Sequence, residues 1–274
     1  MSFQGCDSQP LPLALGITDA HAATSSDSYN GLVNDLPLAG CRVLLTRPAA
    51  QAASWRAALS DAGAVVVDFP TTEVTGPPSW EPLDHALAEI RTYDWLVFTS
   101  VNAVRFTLER LAERRPTTPI AAVGDETARA LERAGLPPSL IPEIQSQEGL
   151  VSAFSDLPPG TRVLFPRALD GLDVLPKALA ARGVLVDVVP ASQTRPVANL
   201  TAPPHFDVAT FASPSSIAAY IEQLGVDRLT DVPCVVIGAT TAAKARAAGL
   251  SPVVARAPSI AAMIEAIASS SWRS

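Results

Sequence analysis

The stretch AAVGDETARALERAGL (residues 121–136) returns later in the chain as VVIGATTAAKARAAGL (residues 235–250). Six of the sixteen positions are identical, and most of the others carry side chains of similar size. In each copy a short apolar run precedes a glycine, which indicates a buried strand followed by a turn. Gly135 and Gly249 each come just after the helical stretch, the usual place of a left-handed C-terminal cap. The sequence therefore predicts one strand–turn–helix unit, written twice.

The duplication extends to both sides of this unit. RVLLTRP (42–48) returns as RVLFPRA (162–168), and FTSVNAV (98–104) returns as FASPSSI (211–217). The spacing between the copies changes from 120 to 113 residues inside each repeat, within a proline-rich segment both times. Two copies of strands alternating with helices predict paired parallel-sheet α/β domains and not a solenoid. Because the joint lies inside each repeat, we expect the chain to cross between the domains there.

This organisation gives the expected domain boundaries. Residues 1–38 lack periodicity and are rich in Ser, Asp and Pro, so we expect a disordered extension. One discontinuous domain is expected from 39–70 and 196–274, a second from 73–190, with linkers at about 71–72 and 191–195.

Composition excludes several classes of protein. The chain has 274 residues, 48% of them hydrophobic and 17% charged, which is typical of a globular protein with an ample core. A net charge of −7 argues against nucleic-acid binding, and no apolar run is long enough to span a membrane. Three cysteines without paired spacing, and no basic residue before the first apolar run, predict a cytoplasmic protein with reduced thiols and no metal site.

Four loops could hold a ligand, because ligands of open parallel sheets bind at the carboxyl ends of the strands. These loops read TSVNAV and GDETA in the first copy, and ASPSSI and GATTA in the second. Their hydroxyl groups could cap the following helices or, with free N–H groups, bind an anion. Matched positions in both copies (Ser100 with Ser213, Thr127 with Thr241) favour a shared anionic ligand. Arg47 and Arg167, just after the first strand of each copy, are either solvated strand ends or clamps for carboxylates.

Familiar catalytic signatures are absent from the sequence. There is no nucleophile elbow, phosphate-binding loop, zinc-protease motif or dinucleotide fingerprint. Asp125 and Glu126 have no matching acids in the second copy, and the three histidines lie in positions typical of surface residues. We therefore assign no catalytic residue and no metal ligand.

The pattern resembles the uroporphyrinogen-III synthase family over about residues 41–267. The stretches that carry the resemblance are RVLLTRP, WLVFTSVNAV, IAAVGDETARAL, RVLFPRALDGLDVLPKAL, VATFASPSSI and VVIGATTAAKA. The resemblance implies two flavodoxin-like domains, joined by a two-stranded connector, with a cleft between them. It also implies a lyase of porphyrin and heme biosynthesis, which closes hydroxymethylbilane with loss of water and inversion of ring D to give uroporphyrinogen III, without a cofactor.

The resemblance also suggests how a polycarboxylate substrate is held, largely by backbone N–H groups and by Ser and Thr hydroxyls. The expected substrate-binding residues are Arg47, Ser100, Asn102, Gly124, Thr127, Arg167, Ser213, Ser215, Gly238, Thr240 and Thr241. Because the chain is acidic overall, the cleft must be locally positive, with Arg47, Arg167, Arg195 and Lys244 as the expected sources.

The sequence departs from the family at two positions. The string PASQT places Ser192 where the family usually has a tyrosine proposed to assist departure of the hydroxyl group, and FASP has Ala212 in place of Thr. A serine hydroxyl is a far poorer acid than a phenol, so an acid role at residue 192 is in doubt. The expectation is therefore that the enzyme acts mainly by orienting its substrate.

Two other classes of protein stay open. One is a non-catalytic relative that binds a tetrapyrrole or another anion as a regulatory module; Ser192 and the N-terminal extension favour it. The other is a periplasmic-type solute-binding protein, which the lack of a signal peptide disfavours. For the synthase we expect a monomer that binds neither nucleic acid nor membrane and that could contact hydroxymethylbilane synthase transiently.

Overall fold

The computed structural model describes residues 36–271, which form two five-stranded sheets covered by helices. The first sheet uses β1 (Arg42–Leu45), β2 (Val65–Asp68), β8 (Val208–Phe211), β9 (Cys234–Val236) and β10 (Val253–Val254). All its pairings are parallel, and the strands lie side by side as β2-β1-β8-β9-β10. Counted along the chain this is the order 2-1-3-4-5, the doubly wound order of flavodoxin.

The second sheet has the strand order β3-β7-β6-β4-β5. Its strands are β3 (Thr72–Thr75), β4 (Trp95–Phe98), β5 (Ile120–Ala122), β6 (Arg162–Ala168) and the long β7 (Leu185–Pro196). The four strands from β7 to β5 are parallel. Only β3 runs antiparallel, with Thr72–Thr75 against Gln193–Pro196 at the far end of β7. The chain thus leaves the first sheet after β2 and returns to it at β8.

Helices cover both faces of each sheet because the buried strands are apolar on both sides. Val43 and Leu45 pack into one core cluster, whereas Leu44 between them packs into another on the opposite face. The helices around the first sheet are α1 (Ala49–Asp61), α7 (Pro214–Leu224), α8 (Asp227–Thr230), α9 (Ala239–Ala247) and α10 (Ile260–Ala268). Those around the second are α2 (Glu81–Ala88), α3 (Val101–Leu111), α4 (Asp125–Arg133), α5 (Gln147–Ala153) and α6 (Val174–Ala180), with a 3₁₀ turn at Ile90–Thr92.

The helix ends follow the sequence signals. Ser100 and Ser213 cap the starts of α3 and α7, and their side chains accept hydrogen bonds from the backbone three residues on. Gly135 and Gly249 have φ angles of 73° and 84°, so both adopt the left-handed conformation that the sequence predicts after the helices.

The described chain begins earlier than the predicted boundary at residue 38. Leu38 is fully buried in the core of the first sheet, and its N–H donates to the carbonyl of Ala62 at 2.9 Å. The ordered part therefore starts before Leu38, while residues 1–35 of the expected extension lie outside the described residues. Across 36–271, no helix is both long and apolar enough to cross a membrane.

Candidate functional site

Two cavities lie at the carboxyl ends of the strands, where both sheets present their loops. The larger, which we call the main cleft, has a volume of about 690 Å³. The smaller, the side chamber, has a volume of about 330 Å³. Arg47 and Gln51 stand in the walls of both cavities. These two residues are therefore the point at which the cavities meet.

The main cleft separates one helix of the first sheet from two helix starts of the second. Arg47, Gln51, Ser54 and Trp55 form one wall, on and just before α1. The opposite wall is built by the starts of α3 and α4 and by a loop residue, and consists of Thr99, Ser100, Val101, Asn102, Val123, Gly124, Glu126, Thr127 and Gln145. N-terminal ends of helices carry free N–H groups and partial positive charge, which favour anions. The first turn of α3 holds no acidic residue, whereas Asp125 and Glu126 offset part of the positive charge at the start of α4.

The two capping serines keep a donor for a ligand. The Oγ of Ser100 accepts from the N–H of Ala103 at 3.1 Å, and the Oγ of Ser213 accepts from Ser216 at 3.1 Å. A hydroxyl that accepts one bond still has a proton to donate. At Ser213 that proton can be shared with Ser215, whose Oγ lies 2.9 Å away. Capping and anion binding are therefore compatible at these positions.

The two matched threonines lie at the starts of α4 and α9. Thr127 and Thr241 are both buried, with 4% and 1% of their surface exposed. Within residues 36–271 the structure gives neither hydroxyl a hydrogen-bond partner. Thr127 lines the main cleft, whereas Thr241 lines neither cavity. The hydroxyl of Thr127 is thus the better placed of the two to meet a ligand in the cleft.

The predicted site residues divide into those the cavities bring together and those they do not. Arg47, Ser100, Asn102, Gly124 and Thr127 line the main cleft, and Ser213 and Ser215 line the side chamber with Arg47. Gly238, Thr240 and Thr241 follow β9 at the carboxyl edge of the first sheet but line neither cavity.

Three of the four expected cations line neither cavity, and two of these have carboxylate partners of their own. Arg167 forms an ion pair with Asp173 at 2.8 Å and also donates to the carbonyl of Gly171. Arg195 pairs with Glu73 at 2.8 Å across the β3–β7 pairing. Lys244 stands in the last turn of α9 and lines a separate groove beside α7. Arg47 is therefore the expected cation that faces the main cleft.

Ser192 is buried within β7, with 2% of its surface exposed. Its carbonyl accepts a hydrogen bond from the N–H of Leu169 at 2.8 Å, next to a shift of register between β6 and β7. It lines neither cavity. A serine in this position does not reach a ligand in the main cleft.

Within residues 36–271, the walls of the two cavities contain no cysteine and no histidine. Burial raises the pKa of Cys234 in β9 to about 12, so its thiol stays protonated at neutral pH. Among the residues that the structure describes, no group of His, Cys, Asp and Glu has the arrangement of a metal site. The exposed carboxylate of Glu126 lines the main cleft. The cleft is equipped to hold and orient an anion.

The residues of the cleft walls that sequence reasoning missed include Gln51, Trp55 and Gln145. A signal existed for the first two, because Gln51 and Trp55 are four residues apart on one face of α1, and Arg47 lies just before the start of that helix. Gln145 had none. Its amide oxygen accepts from the N–H of Asp125 at 3.1 Å, a contact between loop and helix start that no local pattern encodes.

The fold and the cleft define an α/β protein that presents hydrogen-bond donors between two parallel sheets. The family model of "Uroporphyrinogen-III synthase HemD" matches residues 53–265, and the chain belongs to the uroporphyrinogen-III synthase family. It is 36% identical over 225 residues to the uroporphyrinogen-III synthase of Synechococcus elongatus, covering 75% of this chain and 85% of that protein. The corresponding synthase of Chlorobaculum parvum is 30% identical over 219 residues, covering 73% of this chain and 86% of that protein.

Solved structures agree on the fold. The uroporphyrinogen-III synthetase of Helicobacter pylori matches with a TM-score of 0.57 at 19% identity, over 82% of this chain and 97% of that one. A mutant synthase from Thermus thermophilus matches with a TM-score of 0.50 at 20% identity, over 83% of this chain and 97% of that one. At these identities the likeness speaks for the α/β architecture alone.

Proposed function

We propose that the protein is a uroporphyrinogen-III synthase, a hydro-lyase that converts hydroxymethylbilane into uroporphyrinogen III without a cofactor. The supporting observation is a cleft whose walls, Arg47 on one side and two helix starts on the other, offer donors to an anion from opposite directions. Family membership and the curated relatives named as synthases give this cleft its substrate class.

The substrate is a flexible chain of four pyrroles bearing many carboxylates. Ser100, Asn102 and Thr127, with the N–H groups beside them, would hold carboxylates on one side, and Arg47 on the other. The serines of the side chamber would hold those of a neighbouring ring. With the ends fixed, the hydroxyl takes up a proton and leaves as water, and the methylene carbon it leaves bonds to the substituted carbon of ring D. The older bond from that carbon to the bridge between rings C and D then breaks and re-forms at the free α-carbon of ring D, which releases its proton, so the ring closes inverted with the net loss of one water. Orientation of this kind can be worth about 7–11 kcal/mol, so no nucleophile or metal is required.

We further propose that the two sheets are the cores of two domains that arose by duplication. The discontinuous domain would comprise 39–70 and 196–274, and the other 73–190. The four parallel strands β7-β6-β4-β5 of the second sheet, counted from β6, have the order 2-1-3-4, which matches the first four positions of the order 2-1-3-4-5 in the first sheet and supports this. Residues 71–72 and 191–195 would act as the two-stranded connector, supported by the antiparallel pairing of β3 with the end of β7. The enzyme would be a cytoplasmic monomer.

The deciding experiment uses the full chain and freshly generated hydroxymethylbilane. The products are oxidised, and the type I and type III isomers are separated by chromatography. We expect mainly type III, whereas the same reaction without protein gives type I, the uninverted isomer that forms spontaneously.

A second candidate function is a non-catalytic tetrapyrrole-binding relative. The observation that favours it is Ser192, which is buried where the family usually has a tyrosine. Such a protein would bind uroporphyrin III in calorimetry but yield only the type I isomer in the assay. Type III product at a rate proportional to protein concentration excludes it.

A further inference from the structure

Arg47 is partly buried in the wall of the main cleft and has no carboxylate partner within residues 36–271. Among residues 36–271 the arginines in ion pairs are Arg56, Arg110, Arg162, Arg167, Arg195 and Arg256. Arg47 instead has its Cζ 4.3 Å from the ring centroid of Trp55, and its Nη2 lies 3.4 Å from Oε1 of Gln51. Its Nε is buried with no hydrogen-bond partner in the described chain.

This environment leaves the charge of Arg47 desolvated but not neutralised. Burial lowers the pKa of its guanidinium below the ordinary value, yet arginine stays protonated at neutral pH. The face of an indole attracts a cation through its quadrupole without contributing a negative charge. A carboxylate in the same place would cancel the field that an anionic substrate must feel. Trp55 therefore holds the cation and leaves its charge available.

The position of Arg47 and Trp55 places the charge of Arg47 where a ligand can contact it. Trp55 is partly buried against the core cluster of the first sheet, so its ring has a fixed support. Arg47 lines both the main cleft and the side chamber, and Trp55 lines the main cleft opposite the starts of α3 and α4. One supported guanidinium can thus meet carboxylates that enter from either cavity.

We propose that Trp55 is the positioning residue for Arg47. The face of its ring holds the guanidinium in place, so that guanidinium N–H groups turned away from the ring can bind a carboxylate of the tetrapyrrole. The proposal rests on the synthase function proposed above and adds a residue that sets substrate affinity without touching the reacting carbon atoms.

The test compares Trp55→Leu, Trp55→Phe and Trp55→Glu in the steady-state assay. Trp55→Leu should raise KM about tenfold with kcat changed less than about twofold, because ground-state and transition-state binding lose the same contact. Trp55→Phe, which keeps an aromatic face, should recover most of the affinity. Trp55→Glu should weaken binding at least as much as Trp55→Leu, because it supplies the counterion that the wild type lacks.

Two controls separate positioning from general damage. In an Arg47→Gln background, Trp55→Leu should have little further effect on KM, since a positioning residue has nothing left to position. The matched variant is Trp80→Leu. Trp80 also faces an arginine, Arg110, at 5.4 Å, but Asp84 neutralises that arginine, away from both cavities. Trp80→Leu should leave KM unchanged in protein that is folded by circular dichroism.

An unchanged KM in Trp55→Leu, or the full effect of Trp55→Leu in the Arg47→Gln background, would overturn the proposal. Failure of the synthase function shows separately, as wild-type protein that forms no type III isomer. In that event calorimetric binding of uroporphyrin III still decides. Weaker binding by Trp55→Leu than by the wild type supports the pair as an anion site, and equal binding refutes it.

Discussion

The starts of α4 and α9 come from the same repeated sequence but stand in different surroundings. At α4 a Cβ on Gly124 would meet Oε1 of Gln145 at 2.4 Å, and Asp125 and Glu126 occupy the first turn. At α9 a Cβ on Gly238 would meet nothing within 4 Å, and the first turn holds no acidic residue. The backbone of the unit is kept in both copies, while the groups around it have diverged.

This difference sets what each helix start can do for an anion. A carboxylate near a helix N-terminus is worth about 0.3–1 kcal/mol. The positive end of α4 is already met by its own two acids and by the amide oxygen of Gln145. The positive end of α9 has no such internal partner in the described chain. The two helix starts thus share a backbone shape but differ in charge. The start of α4 forms part of the wall of the main cleft and has its positive end offset by acidic residues, whereas within the described chain the positive end of α9 is not offset in this way.

The largest expected effect is on kcat/KM, when the matched threonines of both copies are changed together. Thr127→Val together with Thr241→Val removes two hydroxyl donors and nearly preserves volume. A hydrogen bond to a charged group is worth about 1.5–3 kcal/mol, and Thr127 lines the main cleft, so kcat/KM at low substrate should fall at least about tenfold. Steady-state kinetics of the double and the two single variants apportion the loss between the copies.

The control for the threonine variants is Thr107→Val. Thr107 is fully buried in α3, and its hydroxyl has no partner in the described chain. Loss of an unpaired buried hydroxyl should leave kcat/KM unchanged and stability equal or higher. Normal turnover by the double variant would mean that Thr127 and Thr241 serve the fold alone.

A smaller effect, on stability, sharpens the contrast between the glycines. Gly124→Ala forces Gln145 away and breaks its bond to the N–H of Asp125, which should lower the free energy of unfolding by about 0.5–1.5 kcal/mol. Gly238→Ala should leave it unchanged or raise it by up to about 1 kcal/mol, since an alanine restricts the unfolded chain. Urea unfolding of both variants measures the difference.

A third variant checks the cause of that difference. Adding Gln145→Ala to Gly124→Ala removes the clash but does not restore the hydrogen bond to Asp125, so the free energy of unfolding should recover only in part. Equal stability of Gly124→Ala and Gly238→Ala would show that the two helix starts are equivalent after all.

The smallest effect concerns the matched pair Thr72 and Ser192, which stand 120 residues apart in the two copies and are both buried. A general acid contributes about 10²–10⁴-fold, so a catalytic Ser192 could not be removed without a large loss. We expect Ser192→Ala to change the rate of type III formation less than about twofold. A drop of a hundredfold or more in the isomer assay would contradict orientation as the main source of rate.

The reverse substitution is constrained by packing. Ser192 is 2% exposed, so Ser192→Tyr must force a large ring into a filled core, at a cost of about 1–3 kcal/mol. Thermal unfolding should show this loss. Installing the usual family residue should therefore not improve the enzyme.

Local features of the fold were predictable from sequence, and the composition of the cleft was less so. Strand β1, the serine caps at 100 and 213, and the left-handed glycines at 135 and 249 depend on a few neighbouring residues, and all are as predicted. The position of the joint inside each repeat predicts that the chain crosses between two domains, but it does not predict the order of strands within either sheet.

The composition of the cleft walls depends on side-chain contacts that the repeated sequence does not encode. Arg167 stands at the position that matches Arg47, yet Asp173 pairs with it and no such acid accompanies Arg47. Gln145 accepts a hydrogen bond from Asp125, which is 20 residues away in the sequence. Trp55 lines the same cleft as residues of the second sheet only because the two sheets are apposed. Side-chain partners that differ between the two matching stretches thus distinguish Arg47 from Arg167.

The interrupted order of the first sheet also has a consequence for biosynthesis. β1 lies between β2 and β8, and 140 residues separate the end of β2 from the start of β8. At about 5–20 residues per second, a ribosome needs about 7–30 s to add them. During that time Val43, Leu44 and Leu45 lack one of their neighbouring strands. The second sheet lies wholly within those residues and can close first, so β1 is made before the second sheet but gains its second neighbouring strand after it.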